Sequence, residues 1–121
     1  MNTAATVLNR IRKIAKTDQR FHEEAYVFVL AAMDYAVSKL DSPRHIHAKE
    51  LLRAIREYGV QQYGPMTLTV LDFWGIHTTD DFGKIVFNLL EEGVLRKQET
   101  DSIEDFKEVF DFKEAFKSNY N

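Results

Sequence analysis

Apolar residues recur at Val7, Leu8, Ile11, Ile14 and Ala15, three and four positions apart, while Arg10, Arg12 and Lys13 fall largely off that stripe. The spacing predicts an amphipathic helix over residues 3–16. A second helix is expected from His22 to Leu40, and its apolar residues lie on nearly every face, which places it at the centre with the other elements packed around it. Pro43 ends it by disfavouring helical geometry at Ser42. "HIH", His45 to His47, is short and follows that proline, and is expected as a small strand. "AKELLRAIREYGVQQY" then predicts a third helix with Leu51, Leu52, Ile55, Tyr58 and Val60 inward and Lys49, Arg53, Arg56 and Glu57 mostly outward. Gly59 weakens it slightly. Gly64 stops it, Pro65 suits the first turn of the next helix, and a short fourth helix, "MTLTVLDFW", closes at Gly75.

The fifth predicted helix runs from Asp80 to Glu92. Thr78 or Thr79 is its N-cap, Asp80 and Asp81 sit in an exposed first turn where the helix dipole favours negative charge, and Gly93 is the natural C-terminal stop. Phe82, Ile85, Val86, Leu89 and Leu90 form its buried face. Beyond it, "VLRKQ" and "FKEVFDF" read as two strands joined by the acidic loop "ETDSIED", because Phe106, Phe110 and Phe112 share parity and can line one buried face while Lys107 and Asp111 point outward. "KEAFKSNY" adds a last helical turn or two. The expected fold is mainly α with a small β part (α+β): a single domain over 1–121, with five helices and a C-terminal two-stranded hairpin between about residues 94 and 112. Residues 1–40 supply an N-terminal extension and the core helix. Residues 41–116 have the element order of a winged helix. Phe110 and Phe112 are expected to be at least half buried.

Composition changes this picture little. A chain of 121 residues with 45% hydrophobic and 29% charged residues suits one ordinary globular core. Phe is abundant at nine copies, and Cys is absent, which removes disulfide and thiolate–metal chemistry. The N-terminal basic residues lie inside an amphipathic pattern and not ahead of an apolar run, so no signal peptide is expected and the protein is read as cytoplasmic. The most apolar window, Ala25 to Val37, is shorter than the roughly 20 residues a membrane span needs.

Charge is unevenly placed, and this bears on partners. Residues 1–20 carry Arg10, Arg12, Lys13, Lys16 and Arg20 against Asp18, a net +4; residues 65–93 carry Lys84 against Asp72, Asp80, Asp81, Glu91 and Glu92, a net −4. A DNA-reading winged helix would need basic groups on its third helix and wing. Here the corresponding helix exposes Asp80, Asp81, Lys84, Asn88, Glu91 and Glu92, and the wing tip has Glu99, Asp101, Glu104 and Asp105. Such a surface repels phosphates, so duplex DNA is disfavoured and the helix is read as packing or meeting a protein. The partner-binding set is Asp80, Asp81, Lys84, Glu91, Glu92 and Trp74, with Phe73, Tyr58 and Tyr63 as further aromatic anchors. Self-association is compatible with this reading. The alternative is an RNA- or ribosome-associated protein that binds through Arg10, Arg12, Lys13 and Lys16, although that segment has no aromatic residue for base stacking.

No catalytic, cofactor or metal site is expected. His45 and His47 share a strand face and, with Asp41, His22 or His77, are the nearest approach to a metal site, but no His-Glu-x-x-His or similar spacing occurs and they read as capping or loop histidines. Glu23, Glu24, Asp34 and Glu57 are the helical carboxylates nearest apolar surroundings; an ion pair to Arg53 or Arg56 is the expected fate of such a group. There is no nucleophile-elbow serine and no glycine-rich phosphate loop.

The stretches "RFHEEAYVFVLAAMDYAV", "RHIHAKELLRAIREYGVQQYGPM" and "DFWGIHTTDDFGKIVFNLLEEGVL", followed by "DSIEDFKEVFDFKEAF", give the chain a resemblance to a small family of proteins of unknown function found mainly in planctomycetes and verrucomicrobia. The resemblance covers residues 20 to 116 and implies a single domain. It implies no activity, cofactor or catalytic residue.

Overall fold

In the computed structural model, which describes residues 4–42, 44–95, 103–107 and 109–116, four helices of 13 to 16 residues form the body. They are α1 (Ala4–Thr17), α2 (Glu23–Ser38), α3 (Ala48–Tyr63) and α5 (Thr79–Glu91). A 3₁₀ turn (Gly64–Met66) leads into the seven-residue α4 (Thr67–Phe73); a second 3₁₀ turn (Ile103–Phe106) precedes the four-residue α6 (Phe112–Ala115). As its all-round apolar surface requires, α2 is the central element, packed against α1, α3 and α5. Ala25, Tyr26, Phe28, Val29, Ala32 and Ala36 are its buried residues, and the small alanines let neighbouring helices approach.

The hairpin is a correction. Among the described residues there is no strand and every regular element is helical, so neither the mixed α+β class nor the winged-helix-like region holds. The predicted fourth helix is a single short segment, which leaves four long helices where five helices were expected. Val94 and Leu95, the start of the first predicted strand, form a turn; residues 96–102 lie outside the described ones. The second predicted strand is instead a 3₁₀ turn ending at Phe106, a turn at Lys107, and α6 from Phe112. Asp111 caps α6 by accepting from the Glu114 amide at 3.1 Å, so the "DFKE" sequence is a helix start with an acidic cap. Phe112 and Phe116 are one helical turn apart, their rings 5.4 Å from centre to centre, and Phe112 lies 5.8 Å from Phe82 of α5. Phe112 is buried and Phe110 half-buried, as expected, but within a cluster of rings and not on a sheet face.

Two contacts fix this C-terminal segment. The Arg56 Nε donates to the Ala115 carbonyl at 3.1 Å, and the Val109 amide donates to Thr79 Oγ1 at 3.1 Å. On α5, a Cβ at Gly83 would stand 2.8 Å from Cβ of Phe106, so the 3₁₀ turn lies directly on a helix surface that only glycine leaves open. "HIH" forms no strand among the described residues; Ile46 is buried, and His47, with extended backbone, is the N-cap of α3.

Two helix ends determine how the loops meet. After α4, Gly75 takes φ +87° and the Ile76 and Gly75 amides bond back to the Leu71 and Asp72 carbonyls, a Schellman closure. A Cβ there would come within 2.6 Å of the Arg20 carbonyl, so the α4–α5 turn presses against the α1–α2 loop, and the His22 amide bonds to the Trp74 carbonyl at 3.1 Å. Gly93 closes α5 in the same way, through bonds from Val94 to Leu89 and from Gly93 to Leu90.

Candidate interaction surface

The acidic first turn of α5 is half inward. Asp81 is 3% exposed. Its Oδ2 accepts from the amides of His77 (2.8 Å) and Thr78 (3.2 Å), and its Oδ1 accepts from Arg20 Nη2 at 2.8 Å, with Lys84 Nζ at 3.8 Å. This carboxylate therefore caps α5 and fastens the α1–α2 loop to it, and is not available to a partner. Its expected exposed placement is corrected by the fold: the helix needs an acceptor at N3 for its unpaired N-terminal amides, and Asp81 supplies it. Trp74 is also buried, with its ring against Phe28 (5.4 Å) and Tyr63 (5.8 Å). Glu92 pairs with Lys13 at 3.1 Å.

The exposed stripe of α5 is therefore Asp80, Lys84, Phe87 and Glu91, spaced four, three and four residues apart, with Asp80 only partly exposed. It is a mixed surface with a phenylalanine near its middle. Of the expected wing-tip residues, Asp105 is exposed on the second 3₁₀ turn, which is not part of a hairpin, and Glu99 and Asp101 lie outside the described residues.

Three of the basic residues of α1 make contacts within the molecule. Lys13 meets Glu92, Arg12 Nε approaches Glu23 at 3.6 Å, and Arg10 Nη1 donates to the Gly93 carbonyl at 3.3 Å. Lys16 is exposed and has no ion pair among the described residues. The opposed charges of the two segments thus meet within the molecule.

Where the α1–α2 loop meets α5, a cleft of about 230 Å³ is lined by Asp18, Arg20, Phe21, Lys84, Phe87 and Asn88. Asn88 organises its floor: its Nδ2 donates to the Tyr26 hydroxyl (3.0 Å) and to Asp18 Oδ2 (3.3 Å). Burial pushes the Tyr26 phenol above its ordinary pKa, although the Asn88 hydrogen bond acts the other way. The Arg20 guanidinium lies 4.9 Å over the Phe21 ring. Phe87 stands at one rim, 49% exposed. On the other side of the same loop Phe73, 74% exposed, touches only the edge of the structure, its ring 5.6 Å from His22. The two most solvent-exposed phenylalanines thus flank residues 18–22. Tyr58 and Tyr63 are half-buried against Phe28.

The histidines have local structural tasks. His22 Nδ1 accepts from the Glu24 amide at 3.1 Å as the N-cap of α2, His77 Nδ1 lies 3.2 Å from Asp72 Oδ1, and the His45 and His47 rings meet edge to face at 4.9 Å. Among the described residues no group of three His, Asp or Glu is placed to hold a metal ion. Asp34 is exposed on α2 and does not form the arginine pair expected of it; Arg56 is bound to the Ala115 carbonyl instead, and Glu57 accepts from the Tyr35 hydroxyl at 3.3 Å. Among the described residues no helix is long and apolar enough to cross a membrane. Neither Phe87 nor the cleft was marked by the sequence pattern. The signal was there: Phe87 falls outside the 82–85–86–89–90 core stripe, and a large apolar residue off that stripe must face water or a partner. Comparison with protein families, with curated proteins and with solved structures finds no match to the chain.

Proposed function

We propose that the protein is a non-catalytic cytoplasmic interaction module whose contact surface is centred on Phe87 and Phe73. The observation that carries this is the exposure of both rings on either side of the Asp18–His22 loop. Binding energy at protein interfaces concentrates in aromatic anchors surrounded by polar groups that exclude water, and Phe87 has that setting, with Lys84, Asn88, Asp80 and Glu91 around it on α5. The acidic-helix surface is retained here in reduced form: Asp80, Lys84 and Glu91 are its rim, while Asp81, Glu92 and Trp74 serve the fold. At about 230 Å³ the cleft is smaller than the roughly 300–1,000 Å³ typical of small-molecule sites, which favours a protein contact.

RNA association through α1 would have to compete with the contacts that Arg10, Arg12 and Lys13 already make, and Lys16 alone supplies little phosphate neutralisation. Affinity capture with the immobilised chain tests the choice. The expected result is a bound protein that survives nuclease treatment and is lost, or reduced at least about tenfold, with Phe87→Ala. Capture that is nuclease-sensitive, indifferent to Phe87→Ala, and abolished by Arg10, Arg12 and Lys13 to Gln would overturn the proposal in favour of RNA.

A further inference from the structure

We infer that the partner of this surface is a second copy of the chain: two α5 helices pair antiparallel about Phe87, each Phe87 ring entering the cleft of the other copy. The inference rests on the interaction reading above and gives it an occupant.

The charge order along the stripe selects the orientation. Lys84 precedes Phe87 by three residues and Glu91 follows it by four, or about 4.5 Å and 6 Å along the axis at roughly 1.5 Å per residue. A two-fold axis passing close to Phe87 therefore sets Lys84 of each copy opposite Glu91 of the other, within about 1.5 Å of level. Parallel pairing would set lysine against lysine and glutamate against glutamate, an arrangement penalised by like-charge repulsion. Both charged groups have capacity to spare. Glu91 is exposed and makes no ion pair among the described residues, and Lys84 lies 3.8 Å from Asp81, whose Oδ1 already takes the shorter Arg20 contact at 2.8 Å.

The cleft selects the same arrangement by size and lining. A cavity of about 150 Å³ is enough to hold benzene, so about 230 Å³ admits one phenyl ring. Phe87 offers ring surface to it at the rim, and Arg20 and Lys84 line it with cations that can meet the face of an incoming ring. Because Phe87 is both the inserted ring and part of the wall, the contact is self-complementary, as the isologous interface of a symmetric dimer must be.

Sedimentation equilibrium of the purified full chain, from low to high micromolar concentration, tests this with Phe87→Ala, Lys84→Glu, Glu91→Lys and an equimolar mixture of the last two. Wild type is expected to form a dimer, weakened about thirtyfold or more by Phe87→Ala and about tenfold or more by either charge variant alone. In the mixture association returns, because the two introduced side chains face each other and the two native ones do the same. Melting of each variant by circular dichroism establishes that it is folded, and recovery in the mixture does so independently. A wild-type chain that stays monomeric throughout, a dimer indifferent to Phe87→Ala, or a mixture that fails to recover overturns the inference. A monomeric wild type whose captured protein is still lost with Phe87→Ala removes the second copy as occupant and leaves the interaction surface standing. A monomer whose capture is indifferent to Phe87→Ala removes both.

Discussion

The carboxylate of Asp81 closes two backbone amides and one guanidinium at once, its Oδ2 taking the His77 and Thr78 N–H groups and its Oδ1 taking Arg20. Such a group contributes through what it leaves behind when removed: two part-buried backbone donors without their acceptor and an arginine without its counter-ion. Loss of a helix cap costs about 1 kcal/mol, and loss of a hydrogen bond to a charged group about 1.5–3 kcal/mol. Arg20 keeps 44% of its side-chain surface in water, so its share falls at the lower end. Asp81→Ala is therefore expected to destabilise the domain by about 2–4 kcal/mol in urea unfolding, and Asp81→Asn, which keeps one acceptor oxygen, by less. Asp81→Lys should prevent folding by placing an ammonium among donors. Asp80→Lys is the contrast: Asp80 is only partly buried, so its replacement should cost less than that of Asp81. Equal effects at positions 80 and 81 would show that the inward orientation of Asp81 does not matter to stability.

Among elements, α3 was legible to the residue and the C-terminal segment was not, and the reason is physical. "AKELLRAIREYGVQQYGP" has one apolar period, a capping glutamate and a Gly-Pro stop, all local signals that agree. In "FKEVFDFKEAF" Phe106, Phe110 and Phe112 share parity, but Phe106 and Phe110, and Phe112 and Phe116, are also four apart, so period alone admits strand and helix. Asp111 and Glu114 decide for helix at close range. The fit of Phe106 onto Gly83 could not be read from spacing, because it joins positions 23 residues apart in sequence. The cap of α3 carries a pH signature. Glu50 accepts two bonds from Arg44 (2.8 and 2.7 Å) and one from the His47 amide (3.1 Å), and these, the Arg44 bonds first, lower its pKa to about 2. Because the folded value lies below the unfolded one of about 4.5, the contribution is complete above about pH 4.5 and is lost as pH falls from there toward 2. Thermal melts between about pH 6 and pH 3 should show wild type losing more stability than Glu50→Gln, which lacks the group at every pH. Parallel curves for the two proteins would contradict this account.

At the scale of the whole molecule, the +4 and −4 segments that suggested separate binding faces are neighbours: α1 touches α5 as well as α2, and Lys13 and Arg10 reach Glu92 and the Gly93 carbonyl at the end of α5. Each of these polar contacts is exposed and weak, about 0.2–1 kcal/mol, so no single one holds α1 in place; the burial of Ile11 and Ile14 in the core does more. Together the contacts of Arg10, Arg12 and Lys13 should still register. Replacing all three with glutamine is expected to lower the melting temperature by a few degrees at low ionic strength, from a combined loss of about 1–2 kcal/mol. At about 1 M salt, where the screening length is roughly 3 Å, the difference between wild type and variant should shrink sharply. This separates a structural role from a nucleic-acid role for the same side chains. If α1 were an RNA-binding helix, the triple variant would lose retention on RNA, wild-type binding would fall steeply with salt, and the melting temperature would hardly move. If the charges instead hold α1 to α2 and to the end of α5, wild type should show no measurable affinity for duplex DNA or RNA even at low salt, and the triple variant should change stability alone.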